Sequence, residues 1–439
     1  MLNEQLVNKW QPVLEHSDLP EIKDSYRKLV TAHMLEQQEN ALREEANIVG
    51  NQTLLGEAVP ATSTANMTGF DPVLISLVRR TAPQLIAFDI MGTQPMSGPS
   101  GLVFALRPQY NKTQSAVATG FANAFVHEAN TGFSSGSQNA SPSENYGIGA
   151  NTTFHNSPAA TFAAATGAAT ATVEGWGDST GFPDMKFNID KVTVTAVSRA
   201  LKAEYSTELA QDLKAIHGLD AETELANILT TEINAEINRE LVRTVYQACK
   251  KVTPVSAKNT STIVGTDMLD GRWLIERFKA LRYKIEQEAN AIARDTRRGK
   301  GNIVICSSDV ASALATAGVL EPAAALKVDD AGGTFAGTVG TMKVFIDPYS
   351  VTGTGDFAVV GYKGSSPYDA GIFYCPYVPL QMVRAVGENT FQPKIGFKTR
   401  YGVVANPFAT TAGDGVATGE NKYYRGFAIE SIGVANTAA

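Results

Sequence analysis

Residues 220–251, DAETELANILTTEINAEINRELVRTVYQACKK, carry the clearest helical pattern in the chain. Asp220 can cap the amino end of this helix, and Lys250 and Lys251 suit the negative carboxyl end of its dipole. At 1.5 Å per residue the segment forms a rod of about 45 Å, which is long for a globular domain and suits a structural spine. The apolar face consists of Leu225, Leu229, Ile233, Ile237, Leu241 and Val245.

The segments on both sides of this spine predict a mixture of helices and strands. A shorter helix before it ends at Gly218, a residue suited to a left-handed cap, and residues 187–197 (FNIDKVTVTAV) alternate as a strand. A second long helix is predicted over 269–297. The later strands, around one short helix, are NIVICS (302–307), MKVFID (342–347), DFAVVGY (356–362) and GIFYC (371–375). The order of elements predicts an α+β fold.

The first 57 residues differ from the rest of the chain in charge. They hold ten acidic and five basic residues, a net charge of −5, whereas the remaining residues carry only −2 of the total of −7. Helices are predicted over 3–15 and from Pro20 to about Val49, with apolar stripes too narrow to build a core without a partner. Residues 50–69 predict a flexible linker that a protease can reach. The stripes consist of Leu6, Val7, Trp10, Val13 and Leu14, and of Ile22, Tyr26 and Leu29.

Residues 70–185 change from an apolar to a small and polar composition. ISLVRR (75–80) predicts a helix, and LIAFDI (85–90) and LVFALRP (102–108) predict strands. Residues 113–185 contain no Lys, Arg or Leu and only five acidic residues, so they cannot build a conventional core. Two interpretations remain for this stretch: disorder, or an extended β-rich excursion that contacts with other subunits hold in place. We favour the excursion, because scattered aromatic residues supply anchors.

The bulk composition excludes several classes of protein. A length of 439 residues predicts two or three domains. Three distant cysteines, Cys249, Cys306 and Cys375, argue against a disulfide framework and fit a reducing compartment. No stretch approaches the roughly 18 apolar residues of a membrane span, and the polar start of the chain predicts a cytoplasmic protein without a signal peptide. The net charge gives no global case for nucleic-acid binding.

Motifs that could carry catalysis or bind a metal are weak. The five histidines never fall within one helical turn of another, and no Cys/His cluster has metal-ligand spacing. Ser134 lies in a G-x-S-x-G match, but in low-complexity polar sequence rather than between a strand and a helix. We therefore predict no catalytic residue, no cofactor and no metal. The basic residues near the end of the second long helix suit its dipole, with contact to DNA as the alternative; they are Arg294, Arg297, Arg298 and Lys300.

A set of short motifs runs in order along most of the chain. They are Val78-Arg79-Arg80, Leu85-Ile86-Ala87-Phe88-Asp89, Gln94-Pro95-Met96, Phe104-Ala105-Leu106-Arg107, Glu208-Leu209-Ala210-Gln211-Asp212-Leu213, Glu236-Ile237-Asn238-Arg239-Glu240, Gly361-Tyr362-Lys363-Gly364, Ala370-Gly371-Ile372 and Gly396-Phe397-Lys398-Thr399-Arg400-Tyr401-Gly402. Together these motifs closely resemble the major capsid proteins of T-even-type (myovirus) tailed phages. The match is poor over 113–185 and Val252–Thr266.

The resemblance implies an α+β, Hong Kong 97-type phage capsid fold. Its parts would be an acidic propeptide (1–57), an N-terminal arm (58–95), an extended loop with a β-rich insertion (96–185), a peripheral domain with the spine helix (186–266), an axial domain (267–385) and strands returning to the peripheral domain (386–439).

The resemblance also implies a function and a set of partners. The chain would self-assemble through hexameric capsomers into the icosahedral head shell of a phage, enclosing double-stranded DNA that it contacts non-specifically. Expected partners are a vertex capsid protein, an internal scaffold, a prohead protease, decoration proteins and a chaperonin, with no membrane. The chain would occupy the virion shell, and the host cytoplasm during assembly.

Proteolysis is a further implication of the resemblance, because the prohead protease of such phages cuts after Glu in Leu/Ile-x-Glu. Leu55-Gly56-Glu57 followed by Ala58 fits this pattern and lies in the predicted linker. Leu19-Pro20-Glu21 and Leu42-Arg43-Glu44 also fit, so earlier cuts are open. Leu274-Ile275-Glu276 fits too, but a predicted helix should protect it.

Three alternative functions stay open at this stage. A pentameric vertex paralogue of the same phage group would differ in copy number per particle. A bacterial nanocompartment shell protein shares the fold but usually lacks a cleaved acidic leader. A hydrolase that uses Ser134 would belong to a different class of protein altogether.

Overall fold

Helices and strands both contribute to the fold, and the α+β prediction is confirmed. The structure is a computed structural model that describes residues 2–15, 22, 24–52, 85–110, 134, 167–176, 182, 185–252, 255–256, 274–318, 320–322, 334–349, 356–386, 392–407 and 418–430. Within these ranges the helices are α1 (Leu2–Leu14), α2 (Ser25–Gln52), α3 (Ala87–Ile90), α4 (Thr170–Glu174), α5 (Thr207–His217), α6 (Ala221–Ala248), α7 (Leu274–Thr296) and α8 (Ser308–Thr316).

The strands of the described ranges form three sheets. They are β1 (Gly92–Thr93), β2 (Ser100–Tyr110), β3 (Met185–Thr195), β4 (Val197–Glu204), β5 (Cys249–Lys251), β6 (Val255–Ser256), β7 (Ile303–Ser307), β8 (Glu321–Pro322), β9 (Thr334–Val339), β10 (Met342–Asp347), β11 (Phe357–Gly361), β12 (Ile372–Val386), β13 (Pro393–Ala405) and β14 (Asn421–Glu430). One sheet has the order β1-β12-β13-β4, the largest has the order β5-β14-β11-β7-β10-β9-β8, and β2 pairs with β3.

The chain divides into two compact units. The main unit comprises Met1–Leu102, Val192–Ile292 and Lys300–Ala439, and the second comprises Val103–Lys191 and Ala293–Gly299. None of the helices in the described ranges is long and apolar enough to cross a membrane.

The predicted spine is helix α6, and its predicted apolar stripe is buried apart from the half-buried Leu225. Asp220 takes the N-cap position, but its carboxylate accepts a hydrogen bond from the Thr223 hydroxyl (3.1 Å) and none from the backbone. The prediction for Lys250 and Lys251 was wrong. The helix ends at Ala248 because Cys249 adopts an extended conformation and begins β5, which pairs in parallel with β14.

Strand β7 explains why NIVICS is a continuous apolar run. Ile303 and Ile305 point to the core that contains the spine helix, whereas Val304 and Cys306 point to a second core with α7 and α8. Side chains alternate between the faces of a strand, so a strand with a core on both faces must be apolar throughout.

The LIAFDI segment was predicted as a strand, and this prediction was wrong. Its last four residues form the single helical turn α3, which is followed by β1. Leu85, Ile86, Phe88 and Ile90 are all buried. A short run with apolar residues at almost every position shows neither the helical nor the strand period of hydrophobicity. The sequence therefore cannot distinguish a buried turn of helix from a buried strand.

The amino-terminal helices are confirmed, with changes in their limits and buried faces. Helix α2 begins at Ser25 rather than directly after Pro20. Ile22 is buried as predicted, but Tyr26 and Leu29 are only half-buried. The predicted helix at 75–80 and most of 113–185 lie outside the described residues. Within 113–185 the described residues are 134, 167–176, 182 and 185, which include the helical turn α4 and the first residue of β3.

Candidate assembly and processing sites

The β2–β3 ribbon, formed by strands β2 and β3, exposes large apolar side chains. Phe104 is 65% exposed and Phe187 is 69% exposed. In β2 the exposed residues alternate with the buried Val103 and Ala105, so the large side chains form a row on one face of the strand. The exposed apolar residues of both strands are Leu102, Phe104, Leu106, Met185, Phe187 and Ile189.

Such a concentration of exposed apolar surface is typical of an interaction site. The side chains of these six residues carry no polar or titratable group that could bind a small polar ligand. An apolar surface of this kind is suited to burial against another apolar surface. LVFALRP was predicted as a strand and is one, but only the structure identifies which of its faces is exposed.

Arg199 of β4 fixes the spine helix to two strands. Its guanidinium lies 2.9 Å from the Glu236 carboxylate and 2.6 Å from the Glu240 carboxylate of α6. Arg199 Nε also donates to the Tyr401 hydroxyl (2.5 Å), which in turn donates to Glu240. Burial, together with the adjacent Glu240 carboxylate, raises the pKa of Tyr401. Each of these polar groups has a hydrogen-bonding partner within the cluster, so the cluster is suited to holding the spine in place.

The leader, residues 1–57, contacts the rest of the main unit through side chains of α2. The Arg27 guanidinium lies 2.5 Å from the Asp89 carboxylate and 5.5 Å from the centre of the Phe88 ring. The Tyr26 hydroxyl donates to the carbonyl oxygen of Thr93, and burial raises its pKa. Sequence reasoning missed this contact, because no local pattern indicates that Arg27 and Asp89 meet.

The predicted processing site, Leu55, Glu57 and Ala58, lies outside the described residues, whose nearest member is Gln52 at the end of α2. Leu19-Pro20-Glu21 also lies outside them. Leu42-Arg43-Glu44 falls within α2. Leu274-Ile275-Glu276 opens α7, as the prediction of a protecting helix requires.

Within the described residues, the structure gives the weak motifs no further support for catalysis or metal binding. Ser134 is exposed, and its sequence neighbours lie outside the described residues. No group of three or more His, Cys, Asp or Glu side chains within the described ranges could hold a metal ion. Of the basic residues in the last turn of α7 and just after it, Arg294, Arg297 and Arg298 are exposed, whereas Lys300 forms an ion pair with Glu286.

Comparison with known proteins gives a consistent result. Residues 67–429 match the family described as Major capsid protein Gp23. The chain is 36% identical to the major capsid protein of Salmonella phage ViI, over 98% of this chain and 99% of that protein. It is 37% identical to the major capsid protein of Serratia phage KSP90, again over 98% and 99%.

Two weaker similarities accompany these. The capsid vertex protein of Escherichia phage AR1 is 27% identical over only 51% of this chain and 54% of that protein. The solved structure titled The capsid of Myoviridae Phage XM1 aligns with a TM-score of 0.40 and 9% identity, over 78% of this chain and 91% of that chain. A TM-score this low is too weak to transfer structural detail.

The full-length matches distinguish this chain from the vertex paralogue, which aligns over only half of it. Together with the mixture of helices and sheets, the family match confirms the predicted Hong Kong 97-type capsid fold. The chain belongs to the Gp23 family of major capsid proteins of tailed bacteriophages.

Proposed function

We propose that this chain self-assembles into the icosahedral head shell of a tailed phage and encloses double-stranded DNA. The observation that carries the proposal is the exposed apolar surface of the β2–β3 ribbon. Full burial of one such side chain contributes about 1.5–3 kcal/mol, so its cover by a second copy of the chain favours association. The chain acts in this way as a structural protein rather than an enzyme.

The ribbon provides a direct test of self-assembly. Phe104→Ser and Phe187→Ser, made together, remove two large apolar groups that few intramolecular contacts hold. The variant should keep the wild-type circular dichroism spectrum and fail to form shells in electron micrographs. Lys186→Ser, at an exposed polar position on β3, is the matched control and should assemble. Normal shells from the double variant would contradict the proposal.

We propose that the parts of the shell subunit have the limits that the resemblance implies. Residues 58–95 serve as the arm, 96–185 as the extended loop, 186–266 and 386–439 as the peripheral domain, and 267–385 as the axial domain. The spine helix α6 supports this division, since it anchors strands from distant parts of the sequence. Hexameric capsomers, a vertex protein and decoration proteins complete the shell, and a chaperonin assists folding in the host cytoplasm.

The leader guides assembly on an internal scaffold, and the prohead protease then removes it by cutting between Glu57 and Ala58. Its net charge of −5 supports this order of events. Removal strips negative charge from the interior before DNA enters, which lowers the Coulomb repulsion of the polyanion.

Substitution of the glutamate tests the cut. Glu57→Ala should leave the leader on subunits from infected cells, as measured by intact mass. Glu21→Ala and Glu44→Ala are matched controls that should leave a mature chain beginning at Ala58. A mature chain of normal mass from Glu57→Ala would place the cut elsewhere.

A further inference from the structure

The leader packs on the rest of the main unit as an intramolecular ligand. Val30 and Met34 of α2 belong to the same buried cluster as Leu85, Phe88 and Ile372. Residues four apart lie on one face of a helix, so Val30 and Met34 define the face of α2 that meets the rest of the unit. On the other side, Ala32 and Leu35 pack with Trp10 and Leu14 of α1. The part of α2 from Val30 to Leu35 therefore lies between α1 and the rest of the main unit.

Polar contacts at one end of this face fix its position. Arg27 pairs with Asp89, and their side chains are 23% and 28% exposed, which makes the pair partly desolvated. The Tyr26 hydroxyl donates to the carbonyl oxygen of Thr93, the last residue of β1. The ion pair and the hydrogen bond from the tyrosine hydroxyl each have one defined partner. They therefore fix α2 in a single register on this surface, which apolar contacts alone would not do.

We propose that the surface formed by Phe88, Asp89, Thr93 and β12 is a docking site for α2, and that the leader stays bound there after the chain has been cut behind Glu57. The inference rests on the proposed removal of residues 1–57. It adds that cleavage and release are separate steps, because the contacts of Tyr26, Arg27, Val30 and Met34 do not depend on the peptide bond that is cut.

The same interface carries features that favour eventual release. Gln38 continues the face of Val30 and Met34, is fully buried, and has neither amide atom hydrogen-bonded within the described part of the chain. Buried polar atoms that lose water without gaining a partner weaken an interface. The docked leader is thus held in a defined place, but less tightly than its apolar contacts alone would allow.

The test uses the full chain with the recognition sequence of a specific protease inserted between Leu55 and Gly56. After the cut, gel filtration and mass spectrometry show whether residues 1–55 elute with the rest of the chain. We expect co-elution of the wild-type leader. Arg27→Ala and Asp89→Asn should each speed its dissociation about tenfold, and the double variant should dissociate more slowly than the product of the two effects predicts, because both remove the same ion pair. Gln38→Leu should slow dissociation.

Lys28→Ala is the matched control. Lys28 neighbours Arg27 and is similarly exposed, but it pairs with Glu15 inside the leader (3.3 Å). The substitution removes the same charge and should leave co-elution unchanged. Immediate separation of the wild-type leader, or equal behaviour of Arg27→Ala and Lys28→Ala, would overturn the docking site. The inserted sequence is cut by a different protease, so this experiment does not depend on the natural cut at Glu57. The Glu57→Ala experiment tests that natural cut separately.

Discussion

Arg239 of the spine helix and Asp347 at the end of β10 form a close ion pair, with Arg239 Nη1 2.8 Å from Oδ1 and 2.6 Å from Oδ2 of the carboxylate. The Asp347 side chain is only 2% exposed. It also accepts a hydrogen bond from the Tyr246 hydroxyl of the same helix (2.9 Å). Since β10 belongs to the largest sheet, this pair locks the spine onto that sheet.

Loss of the arginine should destabilise the fold strongly. Arg239→Ala leaves a buried carboxylate without its cation, and we expect the free energy of unfolding to fall by about 3–5 kcal/mol. Urea unfolding of the unassembled chain measures this change. Arg243→Ala removes an exposed arginine from the same helix and should cost no more than about 0.5 kcal/mol. Equal effects of the two substitutions would show that the pair does not stabilise the fold.

Two glycines of β13 should respond differently to alanine. A Cβ at Gly402 would lie 2.5 Å from Val194 Cγ1 and 3.0 Å from the Thr195 carbonyl oxygen, whereas at Gly396 the nearest atom is 3.8 Å away. Gly402→Ala should therefore lower the free energy of unfolding by about 1–3 kcal/mol. Gly396→Ala should change it by less than about 1 kcal/mol. Thermal unfolding compares the pair, and a tolerated Gly402→Ala would contradict the close approach of β13 to β3.

Lys363 should make stability depend on pH in a defined window. Burial lowers the pKa of Lys363 from 10.5 to about 8, although its ammonium donates to the Phe88 carbonyl oxygen. Between about pH 8 and 10.5 the unfolded chain retains a proton that the folded chain has lost. The contribution of Lys363 to the free energy of unfolding therefore rises with pH across this window.

The difference between wild type and Lys363→Met isolates this contribution. Buried thiols and phenols, whose pKa values are raised, contribute with the opposite sign, but they are the same in both proteins and cancel. Urea midpoints at a series of pH values should show wild type gaining stability relative to Lys363→Met between about pH 8 and 10.5. Lys422→Met, which removes an exposed lysine from β14, controls for the loss of a charge. A difference that falls with pH would refute the assignment.

The three cysteines should resist thiol reagents in the folded chain. All three are buried, and burial raises the pKa of Cys306 and of Cys375 to about 12, so the reactive thiolate is scarce. We expect no reaction with Ellman's reagent at pH 8 and complete reaction in urea. Reaction of a folded monomer at the rate of free glutathione would contradict the burial of these residues.

Elements with a strong local period could be predicted from the sequence. Helix α6 has one polar face and one buried face, and the residues from Leu229 to Val245 on its apolar stripe are buried. Gly218 ends α5 in the expected left-handed conformation, with φ of 67°. These features depend on neighbours within a few residues, which is the range that sequence patterns report.

Elements that depend on distant partners could not be predicted in the same way. GIFYC was predicted as a short strand, but β12 runs from Ile372 to Val386 because pairing with β13 continues past Pro376 through two irregularities in register. Prolines usually mark the end of a central strand. Likewise the contact of Arg27 with Asp89 joins residues far apart in sequence, which no local period encodes. The candidate assembly surface was predicted as strands, but not as an exposed apolar face.

We propose that this chain builds the shell of a phage head after losing its leader. Electron microscopy of native particles that contain the chain, with the intact mass of the subunit recorded from the same sample, is the decisive measurement. We expect closed icosahedral shells whose subunit begins at Ala58. Small soluble oligomers of the full-length chain in place of shells would contradict it.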